Sequence, residues 1–231
     1  MKRAYLFDID GTLLKVKHKV NRKLIQRILK RFRADYIDVA DFDFAGKTDR
    51  DIFSDLLGSD DENIFHEVKQ IYLQELERTL TPADIHVHEG VRASLDYLKE
   101  RPAWTGILTG NFAQAARVKL AAINLHDRFR FGAYGDDHHD RNALPPSAFR
   151  ELLRESGEPF QPSNLVIIGD TPRDIECAQS FGAVSVAVST GSYSFEELKA
   201  CEPDAVLTSL EEFPAWDEAS LPATTLSRTQ K

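Results

Sequence analysis

Sulfur is scarce in this chain: 231 residues contain two cysteines, Cys177 and Cys201, and one methionine. Two cysteines without ligand spacing exclude a disulfide-built fold and a cysteine-ligated zinc site. Cys177, on the stretch after Asp170, is expected to be simply buried. Long hydrophobic runs are missing too. No segment approaches the ~20 apolar residues of a membrane span, and Met1-Lys2-Arg3 leads into no signal-like segment, so the chain reads as cytoplasmic. An excess of basic charge is also lacking. With 29 Lys and Arg against 37 Asp and Glu the formal charge is −8, which argues against a nucleic-acid partner. The basic run Lys15 to Arg33 reads as the solvated face of an amphipathic helix that buries Leu24, Ile25, Ile28, Leu29 and Phe32. No internal repeat is present. A hydrophobic content of 42% over this length suits one large domain, or a domain with an insert.

The most informative segment comes first. A short apolar run, Ala4 to Phe7, ends in Asp8-Ile9-Asp10-Gly11-Thr12. Alternate residues of a strand project the same way, so Asp8 and Asp10 are brought together where the strand runs out. Neighbouring carboxylates raise one another's pKa unless a cation intervenes, and Gly11 permits a tight turn. Taken alone, the segment reads either as a nucleophile beside an acid with a divalent metal, or as an acidic loop after an edge strand.

Two further apolar strands end in polar tips. Trp104 to Thr109 leads into Gly110-Asn111, and Asn164 to Gly169 leads into Asp170-Thr171-Pro172-Arg173-Asp174. Pro172 suits a first helical turn, and Asp174 lies one turn beyond Asp170. Strand-like runs alternate with helical patterns through the second half, which implies a Rossmann-like α/β fold: a parallel sheet with helices on both faces. Ligands bind at the carboxyl ends of such strands. From Leu14 to about His88 the alternation stops, and helices are expected near 21–33, 49–57 and 61–80 with no strand core. The organisation expected is a catalytic core of residues 1–14 and 89–214, an inserted helical cap over 15–88, and a poorly ordered tail over 215–231.

This set of tips, Asp8 and Asp10, then Thr109, then Asp170 and Asp174, resembles the haloacid dehalogenase superfamily, in its phosphoglycolate-phosphatase-like branch with a helical cap after the first strand. The resemblance implies a phosphohydrolase. Asp8 would attack phosphorus, and Asp10 would protonate the leaving oxygen and later activate water. Asp8, the backbone carbonyl of Asp10, and Asp170 would hold Mg²⁺, while Thr109 and the N–H groups of Gly110 and Asn111 would hold phosphate oxygens. The superfamily usually places a lysine in the loop ahead of the last aspartates. Here Arg141 is the cation of that loop and is assigned the role; Lys119, in the middle of a helix well before it, is judged a poor rival. Asp174 would orient Arg141 or a water. Asp136 to Asp140, despite its two histidines, has no zinc spacing and reads as a solvated acidic loop; the remaining histidines receive no role. Phe44-Ala45-Gly46-Lys47-Thr48-Asp49 resembles a cap loop that dips into the cleft. Lys47 either meets a substrate anion there or is an exposed lysine beside a helix cap.

The expected activity is therefore Mg²⁺-dependent hydrolysis of a small phosphorylated metabolite through an aspartyl-phosphate, by a monomer or homodimer. Asp10 argues against the dehalogenase branch, which has no leaving alkoxide to protonate. A phosphomutase resembling β-phosphoglucomutase, and a catalytically idle binding member of the fold, stand as alternatives.

Overall fold

The computed structural model describes residues 2–34, 37–39, 42–136 and 138–220. The chain runs β1 (Ala4–Phe7), β2 (Leu14–Val16), α1 (His18–Arg31), α2 (Asp49–Leu57), α3 (Glu62–Thr79), β3 (Ile85–Val87), α4 (Val91–Lys99) and β4 (Trp104–Leu108). It continues through α5 (Ala113–Ala122), β5 (Phe131–Ala133), α6 (Leu144–Ser156), β6 (Leu165–Gly169), α7 (Pro172–Phe181), β7 (Val184–Val188), α8 (Phe195–Lys199), β8 (Ala205–Leu207) and α9 (Phe213–Ser220).

Six strands form one parallel sheet in the order β5-β4-β1-β6-β7-β8. Strand side chains alternate faces, and the two cores follow that alternation. Tyr5, Phe7, Val166 and Ile168 pack against α4 and α5 on one face. Ala4, Leu6, Leu165 and Ile167 pack against α6 and α7 on the other. Phe7 is level with Ile107 of β4 and Ile168 of β6, so the residues just beyond these strands emerge side by side. After β1 the chain goes to β4 and β5 on one side and returns to β6 on the other, which makes the tip of β1 the switch point where ligands bind in open α/β sheets.

The segment between β1 and α4 is helical, as its sequence pattern indicates, with one addition. β2 and β3 pair antiparallel at its two ends, and three-residue strands are too short to leave a readable period. Thr48 caps α2 by accepting the Asp51 N–H, and Gly58, at φ 60°, ends it; Asp61 caps α3. Leu24, Ile28, Phe53, Val68, Tyr72 and Leu76 cluster around Phe112, just ahead of α5.

The expected disorder from residue 215 is incorrect over its first part. Residues 213–220 form α9, and the part of the expectation that concerns 221–231 lies outside the described residues. Phe213 is fully buried against the rings of Tyr5, Phe7, Tyr97 and Trp216. Asp217 accepts hydrogen bonds from Tyr5 (2.7 Å) and Tyr97 (3.0 Å) and pairs with Arg3. Truncating a buried phenylalanine costs about 3–5 kcal/mol. Phe213→Ala should lose stability of that order in urea titration; a loss below about 1 kcal/mol would show that α9 is peripheral.

Candidate active site

Asp8 follows β1 directly, and its N–H donates to the Ile168 carbonyl (2.9 Å), extending the β1–β6 ladder by one residue. Its side chain is buried. Gly11 has φ 93°, and a Cβ there would lie 2.2 Å from Asp170 Oδ2. Only glycine allows both that backbone and that approach. Thr12 donates to Asp170 Oδ1 (3.0 Å), and Thr190 donates to the Gly11 carbonyl (2.6 Å).

Asp8, Asp170 and Asp174, all buried, have carboxylate oxygens within 4.8 Å of one another. Burial raises Asp8 to about 6, with Asp174 and Asp10 adding and Arg141 opposing. Asp170 is driven well above the carboxylate range by burial, then by Asp8 and Asp174. Crowded hard oxygen donors of this kind fit a hard divalent cation, whose charge relieves the repulsion. Asp174 is the least free of the three: one oxygen accepts from Thr171 (N–H 3.1 Å, hydroxyl 2.7 Å) in the capping box of α7, and the other takes Arg141. The Asp10 side chain lies outside this cluster, so any part it has in holding a cation falls to its carbonyl.

Arg141 stands on a single helical turn ahead of α6 and is buried. Its Nη2 lies 3.1 Å from Asp8 Oδ1 and also binds Asp174. Burial alone would lower its pKa, but Asp174 and Asp8 outweigh that and raise it above its ordinary value. Among the described residues its Nε is buried without a partner. Nη1 reaches the Gly46 carbonyl at 3.4 Å.

Thr109, at the tip of β4, is buried, and its hydroxyl accepts from the side-chain amide of Asn111 (2.9 Å). Gly110 meets the helical segment: a Cβ there would lie 2.2 Å from the Lys47 carbonyl. Asp49 brackets this loop. Its N–H donates to the Gly110 carbonyl (2.7 Å), and its carboxylate accepts the Phe112 N–H (2.8 Å). Burial raises Asp49 to about 7, against the opposing effects of Lys119 and that N–H.

Asp8, Asp10, Thr109, Gly110, Asn111, Arg141, Asp170 and Asp174 thus meet at one edge of the sheet. Lys47 lies just ahead of α2, where its ammonium binds Asp55 and lies 3.9 Å from Asp51. The loop touches the core through backbone carbonyls instead. In the loop after β5, His139 and Asp140 are exposed, while Asp136 accepts from Ala113 N–H (2.7 Å) and pairs with Lys69, and His139 accepts from Arg50 (2.7 Å). Asp137 lies outside the described residues. Cys177 is buried, and burial pushes its thiol up to about 12, so it is unreactive.

Lys119, judged a poor rival to Arg141 for the cation beside Asp8, has a different place at the site, one that the sequence reading did not give it. It is buried on α5, with Nζ 2.5 Å from Asp10 Oδ2 and 2.5 Å from Asn111 Oδ1. Side chains tilt toward the N-terminus of their helix, so a lysine in mid-helix reaches the tip where that helix begins. A lysine within the stripe Ala115, Ala116, Leu120 was the available signal. Asp49 was read only as the last residue of the loop that carries Lys47.

The family of haloacid dehalogenase-like hydrolases matches residues 5–188. A phosphoglycolate phosphatase of Nitrosococcus oceani is 24% identical over 161 residues, 70% of either chain. The validoxylamine A 7'-phosphate phosphatase of Streptomyces hygroscopicus subsp. limoneus is 26% identical and covers 92% of this chain and 96% of its own. The crystal structure of a hydrolase from Pseudomonas syringae, 21% identical, aligns with a TM-score of 0.70 over 96% of this chain and 100% of its own.

Proposed function

The chain belongs to the family of haloacid dehalogenase-like hydrolases, and from that membership we propose that it is a Mg²⁺-dependent phosphatase of a small phosphorylated metabolite, working through an aspartyl-phosphate on Asp8. One observation carries the reading. Two aspartates separated by one residue have opposite surroundings. Asp8 is buried beside a guanidinium, whereas Asp10 is half-exposed and tethered by Asn111 (2.8 Å). Divergent environments are how one site assigns separate roles to two carboxylates.

An Asp8 oxygen attacks phosphorus and the bond to the leaving oxygen breaks, while Asp10 delivers a proton to that oxygen. Asp10 then takes a proton from water, which attacks the phosphoryl group and releases Asp8. Arg141 holds the attacking carboxylate and offsets phosphoryl charge, and Thr109 with the Gly110 and Asn111 N–H groups cradles the phosphoryl oxygens. Asp8, Asp170 and the Asp10 carbonyl would hold Mg²⁺, whose charge neutralises the phosphoryl group. Residues 15–88 serve as a cap, with Asp49 and the Gly46–Lys47 backbone closing on the loop after β4. The family relatives reported above are named as phosphatases, and the phosphomutase alternative is not favoured. The full complement of aspartates weighs against an idle member. No helix among the described residues is long and apolar enough to cross a membrane.

A panel of phosphate esters assayed with Mg²⁺ and with EDTA tests the activity; hydrolysis that EDTA leaves intact ends the metal-dependent reading. Asp10→Asn tests the acid. General acid catalysis is worth about 10²- to 10⁴-fold, and the loss should fall on alkyl phosphates far more than on activated aryl phosphates, whose leaving groups need no proton. Equal losses on both would remove Asp10 from that role.

A further inference from the structure

The two cations of the site divide its carboxylates between them. Arg141 serves Asp8 and Asp174, and Lys119 serves Asp10. A buried ammonium is costly unless paired and hydrogen-bonded, and Lys119 meets that condition entirely with site groups, Asp10 Oδ2 and Asn111 Oδ1. Nothing in the reaction as written uses it.

Asp10 Oδ2 accepts from Lys119 Nζ (2.5 Å) and from Asn111 Nδ2 (2.8 Å), whereas Oδ1 has no hydrogen-bond partner among the described residues. Asn111 is itself held by Lys119 at its carbonyl and by the Thr109 hydroxyl at its amide. One oxygen of the carboxylate is therefore anchored at two points, and the other is left for the substrate. The Asp10 side chain is 37% exposed, against 4% for Lys119, so without the anchor it would sample several rotamers. The anchor also comes from a helix: α5 puts Lys119 about 9 Å along its axis from Ala113, and Phe112, just ahead of that helix, is packed in the aromatic cluster of the helical segment.

We propose that Lys119 is a positioning residue for Asp10, fixing its Oδ2 so that Oδ1 is aimed at the leaving oxygen and later at water. This rests on the reading of Asp10 as the general acid and base. A displacement of about 1 Å in a reacting group can cost about 10²-fold, and that cost should appear only where proton transfer matters.

The test compares Lys119→Met, Asp10→Asn and the double variant on an alkyl phosphate and on p-nitrophenyl phosphate, with Mg²⁺ and with folding checked by circular dichroism. Lys119→Met should lower kcat/KM by about 10- to 100-fold on the alkyl ester and by less than about 3-fold on the aryl ester. In the Asp10→Asn background it should add almost nothing, because residues acting as a unit are not additive. Should Met at this buried position prevent folding, Lys119→Gln removes the charge, keeps polarity, and must give the same selective loss. A loss equal on both esters, or one that persists undiminished in the Asp10→Asn background, would overturn the proposal. The two readings fail separately. If Asp10→Asn is selective for the alkyl ester and Lys119→Met is not, only the role of Lys119 falls. If Asp10→Asn itself is unselective, the general-acid reading falls and takes the positioning role with it.

Discussion

Asp8→Asn should abolish turnover, by more than about 10⁴-fold, as loss of a nucleophile does, while leaving the fold in place. The amide matches the carboxylate in shape but neither attacks phosphorus nor binds a hard cation well. Acid-quenched reactions with labelled ester should trap phosphate on the parent protein and none on the variant. A folded, metal-supplied Asp8→Asn protein with full activity would end the covalent reading. The same substitution has a consequence for stability. Burial pushes the Asp8 carboxyl up to about 6, above the usual 3.8 of an aspartate. Between those values the folded state binds more protons than the unfolded one, so stability falls as pH rises through that window and stays reduced above it. Asparagine carries no such penalty. In EDTA the melting temperature of the parent should therefore drop between about pH 4 and pH 6 relative to that of the variant, and added Mg²⁺ should raise the parent more. The Arg141–Asp174 pair survives in both; the variant also relieves Asp170 of the Asp8 charge that helps to drive it up, which adds to the difference in the same direction.

What could be read from the sequence and what could not divide along a physical line. The tips of β1, β4 and β6 were legible because each apolar run ends in a polar residue of plain chemical purpose, and a parallel sheet aligns such ends without further information. Arg141 was assigned because the family resemblance asks for a cation in the loop ahead of the last aspartates, and it is the cation of that loop. Lys119 was not legible, because its contact with Asp10 depends on side-chain reach back along a helix, which a reading of strand tips leaves out. Lys47 stood between two readings, a substrate anion or an exposed lysine beside a helix cap; in the fold its ammonium pairs with Asp55 and lies 3.9 Å from Asp51 of α2, contacts that the glycine-bearing loop by itself does not announce. The helix α9 was hidden by its neighbours: Phe213, Trp216 and Asp217 sit beside a stretch rich in Ser, Thr and Pro, and composition averaged over both looked unstructured. β2 and β3 are too short for alternation to register.

Arg141→Ala should reduce kcat by several orders of magnitude, comparable to the 10³- to 10⁵-fold worth of an arginine at a transferring phosphoryl group. The guanidinium is buried, lies 3.1 Å from the Asp8 carboxylate and is held in place by Asp174. An exposed pair would be worth only about 0–1 kcal/mol, and this is not one. Its removal leaves Asp8, Asp170 and Asp174 together in a buried space with no side-chain cation of the described residues among them, and Arg141 is what now opposes the rise of both Asp8 and Asp170. Both carboxyls should therefore titrate higher in the variant. The acidic limb of the activity profile should move to higher pH, and more Mg²⁺ should be needed for half-maximal rate. Arg141→Lys keeps the charge and loses the planar, two-pronged geometry, so it should recover part of the rate and most of the shift in pH profile. Arg141→Ala and Arg141→Lys both remaining within a few-fold of the parent would mean that Arg141 braces Asp174 without touching the reaction. So would a crystal with a phosphate mimic on Asp8 in which the guanidinium lies more than about 5 Å from the mimic's oxygens, beyond any direct hydrogen bond.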